Sequence, residues 1–346
     1  MIKRVLVRQR AKFRASSGLR GSIYRIFTVY SFWREIGALR AGQVRHMTLR
    51  EKGSERYSLR RHIHMIEKGL VMQPRRPVFA EAYIEETVDV LCRLDEVVDR
   101  SDLDIEIVWA VSVLRTYFNA VSLDDSAAAS QAFTKFLARF EGAGANVSFD
   151  SRSAPFEFQS TERPTINPDD FERLLSNRSS VRWFTSTRVP RAVLDRASMA
   201  AAEAPSACNR QPYRIILVDD QHLVSAVAAI PGGTKGYADN IPCLAVFVGD
   251  LSAFSEERDR HLIYIDTSLA AMSFILSLEV DGLASCCINW PDVASRDARL
   301  RAVLNIMPHE AAVMLVAVGY ADPSGYVPSS KKKPVDLVRQ YNDISR

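Results

Sequence analysis

Arg178, Ser180 and Arg182 alternate within Asn177-Arg178-Ser179-Ser180-Val181-Arg182-Trp183-Phe184. In an extended segment alternate residues point to one side. Two guanidiniums flanking a hydroxyl make a phosphate cradle, because each guanidinium offers forked donors to phosphate oxygens. Taken alone, a solvated basic strand is the simpler reading of the same residues. A second polar stretch, residues 204–213, carries Ser206, Asn209 and Gln211 between Pro205 and Pro212. It leaves a helical pattern at 191–203 and enters Arg214-Ile215-Ile216-Leu217-Val218, a buried strand. Loops held by rigid elements at both ends are common places for sites.

Other chemistry is not indicated. The chain offers no His-Asp or Cys-His constellation for acid–base or nucleophilic catalysis. Its five cysteines (Cys92, Cys208, Cys243, Cys286, Cys287) form no C-x-x-C pair, which argues against both a zinc site and a disulfide framework. A reducing cytoplasm is the natural compartment for them. His62 and His64 stand two apart and do not share a helical face, so they do not suggest a metal site. The glycine-rich turn at 231–236 is not a P-loop, since no Ser or Thr follows Lys235.

The 346 residues are 47% hydrophobic and 25% charged, ordinary values for a globular protein of two domains. The net charge of +4 hides an asymmetry. Residues 1–52 hold thirteen Lys/Arg against Glu35 and Glu51, a charge of +11 that leaves about −7 for the remainder. No apolar run approaches the ~20 residues needed to span a bilayer. No apolar stretch with a small-residue cleavage site follows the basic start, which speaks against a secretory signal.

The elements that must position these groups follow from periodicity. Residues 1–50 form a basic arm whose apolar positions fall at helical spacing over 22–39. One reading is a peripheral helix drawn to anionic lipid. The other, which we prefer, is a helix packed on its own domain with solvated arginines. No DNA- or RNA-binding motif accompanies the charge, so nucleic acid is not expected. Residues 51–145 read as a helical accessory domain. Its helices fall at 60–70, closed by Gly69, and at 80–98, 104–121 and 126–140. Residues 146–168 are linker-like. Residues 169–346 begin with a helix capped by Asp169 or Asp170. Strands follow near 214–218, 244–248 and 311–319, with helices at 221–230, 264–281 and 300–304 and a final helix-like 335–341. The 264–281 helix is apolar on nearly all faces, as in a central or interface helix.

Assembled in order, these blocks resemble the FMN-dependent nitroreductase family over about residues 170–342. The blocks are Arg178 to Phe184, the loop 204–213, the long helix closing on Gly282-Leu-Ala-Ser285, and a strand ending Val318-Gly319-Tyr320 before Lys331-Lys332-Lys333. The resemblance implies an α+β sandwich, a mostly antiparallel sheet flanked by helices, here preceded by an all-helical N-terminal domain. It also implies an intertwined homodimer with FMN at the interface. By that resemblance Arg178, Ser179, Ser180 and Arg182 contact FMN phosphate and ribityl. Pro205, Ser206, Ala207 and Asn209 reach the flavin of the other subunit. Asn240 hydrogen-bonds the isoalloxazine edge. Cys287, Ile288 and Asn289 pass the flavin face, with the backbone of Asn289 near N5. Lys331, Lys332 and Lys333 add a cationic contact to phosphate. NAD(P)H would give hydride to N5, and a small organic acceptor would take it in ping-pong fashion, so no catalytic side chain is required. A specialised dehydrogenase or dehalogenase of this fold, and an interaction module with a decayed flavin site, are the alternatives. The loop Cys287-Ile288-Asn289-Trp290 lacks the acidic residue and glycine of better-known bacterial members, and Trp290 would narrow the acceptor pocket.

Overall fold

A computed structural model describes residues 32–52, 55–97, 105–142, 150–158 and 164–342. Helix α1 (Trp33–Glu51) comes first. Four helices form the N-terminal unit: α2 (Arg56–Leu70), α3 (Ile84–Val97), α4 (Ile105–Ala120) and α5 (Ala127–Phe140). Leu59, Ile63 and Ile66 of α2 recur at helical spacing and meet Leu91, Leu114, Phe136 and Phe140 in one core. Ser126 caps α5 by accepting from Ala129 N–H. Gly69 does not close α2, which runs on to Leu70. The glycine is needed for space: a Cβ there would collide with the Phe79 ring.

The sandwich begins at α6 (Pro168–Asn177), capped by Asn167 rather than by the aspartates, which lie in its first turn. Next come α7 (Arg191–Ala202), β1 (Tyr213–Val218), α8 (Gln221–Ala228), β2 (Cys243–Asp250) and α9 (Leu262–Val280). The last are β3 (Ala284–Asn289), α10 (Ala294–Leu304) and β4 (Glu310–Gly319). The sheet order is β1-β2-β4-β3, and every pairing is antiparallel. Strand alternation sorts the core into two layers. Leu244, Val246 and Val248 pack with Val224, Val227 and Leu300 from α8 and α10. Cys243, Ala245 and Phe247 face Leu194, Ala197, Phe274 and Leu278 from α7 and α9. The α+β sandwich with a helical N-terminal unit is as the sequence implied. The expected helical tail at 335–341 is a single 3₁₀ turn, Val335–Leu337.

Helix α1 is packed on the protein, as in the preferred reading, but against the sandwich and with paired arginines. It lies on the segment after β2, where Ala38 and Leu39 join Leu251, Phe254 and Ile263. A Cβ on Gly42 would come within 2.8 Å of the Leu251 carbonyl carbon, so only glycine permits this approach. Its arginines find partners: Arg34 donates to Asp292 at 2.7 Å, and Arg50 forks onto Glu86 at 2.8 and 2.9 Å. Of the expected helix at 22–39, the described part is helical from Trp33 and runs on to Glu51, and residues 1–31 of the arm lie outside the described residues.

Helix α9 is the long apolar helix expected from the sequence. With the turn before it, Glu257–Val280 is long and apolar enough to cross a membrane by length and composition alone. Its inner face is core. Its other side leaves Ile265, Leu269 and Met272 exposed.

Candidate functional site

The residues singled out from sequence fall into three groups. The first lines a cavity of about 780 Å³. Arg178, Ser179 and Ser180 form one wall, and Lys331 and Lys332 approach from the C-terminal tail, with Glu172 also in the lining. The extended passage from α6 is anchored by a parallel bridge between Ser180 and Ser285 of β3. Two kinds of cation and several serine hydroxyls converge here from distant parts of the chain. That donor set suits a phosphate and the polyol next to it.

Arg182 is not among those lining residues. Val181 N–H donates both to Ser179 O, at 3.1 Å, and to Ser285 O, at 3.0 Å. This tight turn breaks the simple alternation. Arg182 instead donates to Ser180 O at 3.2 Å and lies 5.8 Å from the centre of the Tyr237 ring. Burial beside Cys286 pushes the Tyr237 hydroxyl up to about 12, so it stays protonated there. Lys333 also stands outside the cavity lining.

Asn240 is used otherwise than the resemblance implied. Its Oδ1 accepts from Phe184 N–H at 2.6 Å, and its Nδ2 donates to Phe184 O at 3.1 Å. The amide is a clamp on the backbone that follows Arg182, with both ends engaged inside the protein.

The second group is the loop 204–213. Its backbone is unusual: Cys208, Asn209 and Gln211 all take left-handed φ, at 54°, 52° and 50°. Such conformations cost non-glycine residues about 1 kcal/mol or more and persist only where the surroundings impose them. Here the surroundings do so. Ser206 Oγ accepts from Gln211 N–H at 3.0 Å, and Gln211 Nε2 donates to Ala202 O at 2.7 Å. Asp266, buried within α9, accepts from Ala207 N–H at 3.0 Å. From the helical unit, Arg60 donates to Asn209 O at 2.7 Å and to Gln211 Oε1 at 3.0 Å. Arg60 is itself held by Glu106 at 3.1 Å and lies over the Trp109 ring at 5.3 Å. Among the described residues, the side chain of Asn209 makes no hydrogen bond. Pro205, Ser206, Ala207 and Asn209 line neither this cavity nor the next.

The third group is on edge strand β3. Cys287 and Asn289 are exposed, while Ile288 between them is buried on the opposite face. Crowding around the Cys287 sulfur, with Cys286 adjacent, pushes its thiol pKa up despite the exposed surface, so it is not a thiolate at neutral pH. Asn289 and Trp290 line a cavity of about 450 Å³ whose far wall includes Arg34 and Glu35 of α1 and Tyr264 of α9.

Sequence reasoning missed Arg60 and Asp266. A carboxylate near the start of a largely apolar helix was the available signal for Asp266. Nothing local marks Arg60, whose partner Asn209 lies 149 positions away.

An antiparallel sheet flanked by helices, with a cationic and hydroxylic cavity beside its edge strand, defines a nitroreductase-like sandwich. Residues 175–320 match the nitroreductase family. The helical unit lies outside the match. Human iodotyrosine deiodinase 1 is 25% identical over 197 residues, covering 49% of this chain and 67% of the relative. NADH dehydrogenase of Thermus thermophilus is 28% identical over 192 residues, covering 46% of this chain and 90% of that one. Among solved structures, an FMN-dependent nitroreductase of Clostridium difficile aligns with a TM-score of 0.42 at 22% identity, covering 49% of this chain and 98% of that chain.

Proposed function

We propose that residues 164–342 form an FMN-dependent oxidoreductase that takes electrons from NAD(P)H and passes them to a small organic acceptor. The observation that carries this reading is the convergence of Arg178, Ser179 and Ser180 with Lys331 and Lys332 on one cavity. The fit is chemical: the cations would hold the phosphate, and the two hydroxyls would serve the ribityl chain. When bound, FMN supplies the two-electron chemistry, and the protein's part is binding, orientation and electrostatics.

Several residues of this chain would share that work. The Asn240 clamp fixes the backbone at Phe184 and so aims the cradle residues before it. The Asp266 contact and the Arg60 fork hold the loop 204–213 in its unusual conformation. Exposed Ile265, Leu269 and Met272 on α9, together with exposed Tyr326, Val327 and Tyr341 in the tail, support a homodimer in which this loop serves the partner's site. Dimerisation would then be part of the site. Cys287 has no redox duty in this reading.

Purified protein should be yellow, carry about one FMN per chain and bleach anaerobically with NADH or NADPH. A colourless protein that FMN cannot saturate would refute the proposal. A second reading, reductive dehalogenation, draws on the relatives named iodotyrosine deiodinase. Turnover of iodotyrosine in preference to a nitroaromatic would favour it.

A further inference from the structure

A small cavity of about 80 Å³ lies where the helical unit meets the sandwich. Its lining is almost wholly polar and includes Arg50 and His46 from α1, Ser58, Arg61 and His62 from α2, and Arg210 from the loop 204–213. No Asp or Glu is in the lining. Water occupies roughly 30 Å³ per molecule, so the space suits one tetrahedral oxyanion and excludes a nucleotide.

The three arginines are not equally engaged. Arg50 is forked onto Glu86. Arg210 is only 9% exposed, and its guanidinium lies 4.9 Å from the centre of the Phe254 ring. Among the described residues its side chain has no hydrogen bond and no ion pair, and the same holds for Arg61. A buried guanidinium without an anion is costly, because one aromatic face replaces little of its hydration. The buried acid Glu55, which acts on Arg210, is committed elsewhere. It accepts from Tyr57 and Ser58 N–H at the start of α2 and lies 3.8 Å from His46. Desolvation lowers the Arg210 pKa, and Arg61 nearby adds to that, although Cys208, Asp259 and Glu55 oppose it.

We propose that this cavity binds a single phosphate group, either free or at the end of a small monoester, with Arg210 and Arg61 as its principal donors. Forked guanidinium donors around one tetrahedral oxyanion match in charge and shape. The site is separate from the cavity at Arg178 and does not depend on flavin binding. Its ligand would be tied to the same loop that Arg60 holds.

Calorimetric titration of the full chain at constant low ionic strength tests this, with inorganic phosphate and glycerol phosphate in separate arms. A saturable one-site isotherm is expected in the wild type and in Arg178→Gln. Binding should weaken at least about tenfold in Arg210→Gln and in Arg61→Gln, in keeping with lost charge-assisted hydrogen bonds. Arg61 is exposed, so its variant serves even if Arg210→Gln does not fold. Tighter binding of glycerol phosphate would identify a monoester ligand, and binding of inorganic phosphate alone would identify the free ion. No saturable binding of either probe, or equal affinity in the wild type and both arginine variants, overturns the proposal.

Discussion

The Nε of Arg60 in the helical unit donates to the backbone carbonyl of Asn209 in the sandwich at 2.7 Å. Through the same guanidinium, Gln211 and Glu106 are joined to that contact. The helical unit is thus wired into the loop that the flavin reading depends on. Arg60→Met keeps the apolar stem over Trp109 and removes the fork. We expect FMN to bind about tenfold more weakly, with a stability loss of about 2 kcal/mol, in line with lost hydrogen bonds to a charged group. Flavin fluorescence titration and urea unfolding measure the two. Unaltered FMN affinity would show that the helical unit leaves the site alone.

Arg178→Gln and Lys331→Gln each remove one cation from the large cavity. Each should weaken FMN by about tenfold, and the pair by more, as expected for charge-assisted contacts to phosphate. Arg182→Gln should have a smaller effect on FMN, because Arg182 faces Tyr237 instead. Equal losses for Arg182 and Arg178 would overturn this division of labour.

Burial raises the folded-state pKa of Asp266 above its ordinary value of 3.8, although the Ala207 N–H and Arg210 oppose the rise. The native state therefore holds the proton to higher pH than the unfolded chain does. Stability falls as pH rises from 3.8 through the folded value, and above that the whole penalty is present. Asp266→Asn removes the charge but keeps an oxygen for Ala207. The variant should be at least as stable as wild type at pH 7, and the difference should shrink on acidification. Chemical denaturation at pH 7 and pH 4 reads this directly, and a variant weaker than wild type at pH 7 would contradict it.

Leu269→Asp places a charge on the exposed apolar side of α9. If that side is the subunit interface, the variant should sediment as a monomer and lose most of its FMN. A monomer that retains full flavin would separate the site from dimerisation.

What could be read in advance followed local physics. The run Leu244 to Val248 announced a central strand, and β2 is buried along nearly its whole length. The helix before the loop and the long helix after β2 were legible from spacing, to within two residues. Arg178 and Ser180 line one cavity wall because neighbours in sequence set that wall. The errors arose where a distant atom decides the outcome. Arg182 turns away because Val181 is held by Ser285, and Asn240 is drawn off by the backbone of Phe184. Gly69 looked like a helix end because the Phe79 ring that requires it lies ten positions on, beyond the helix itself.

Helix α1 rests on Leu251 and Ser252, and the His46 contact spans 206 positions of sequence. Closing so long a loop is slow compared with forming the helical unit, whose contacts are nearer in sequence. During synthesis α1 must therefore wait, with Ala38 and Leu39 uncovered, until β2 and the segment after it have emerged. The order of assembly is the reverse of the order of translation at this point: the first described helix is docked only after the middle of the sandwich exists. A ribosome stalled before residue 251 would carry a finished helical unit with an undocked helix in front of it, its Ala38 and Leu39 uncovered, a species prone to association and a natural client for chaperones.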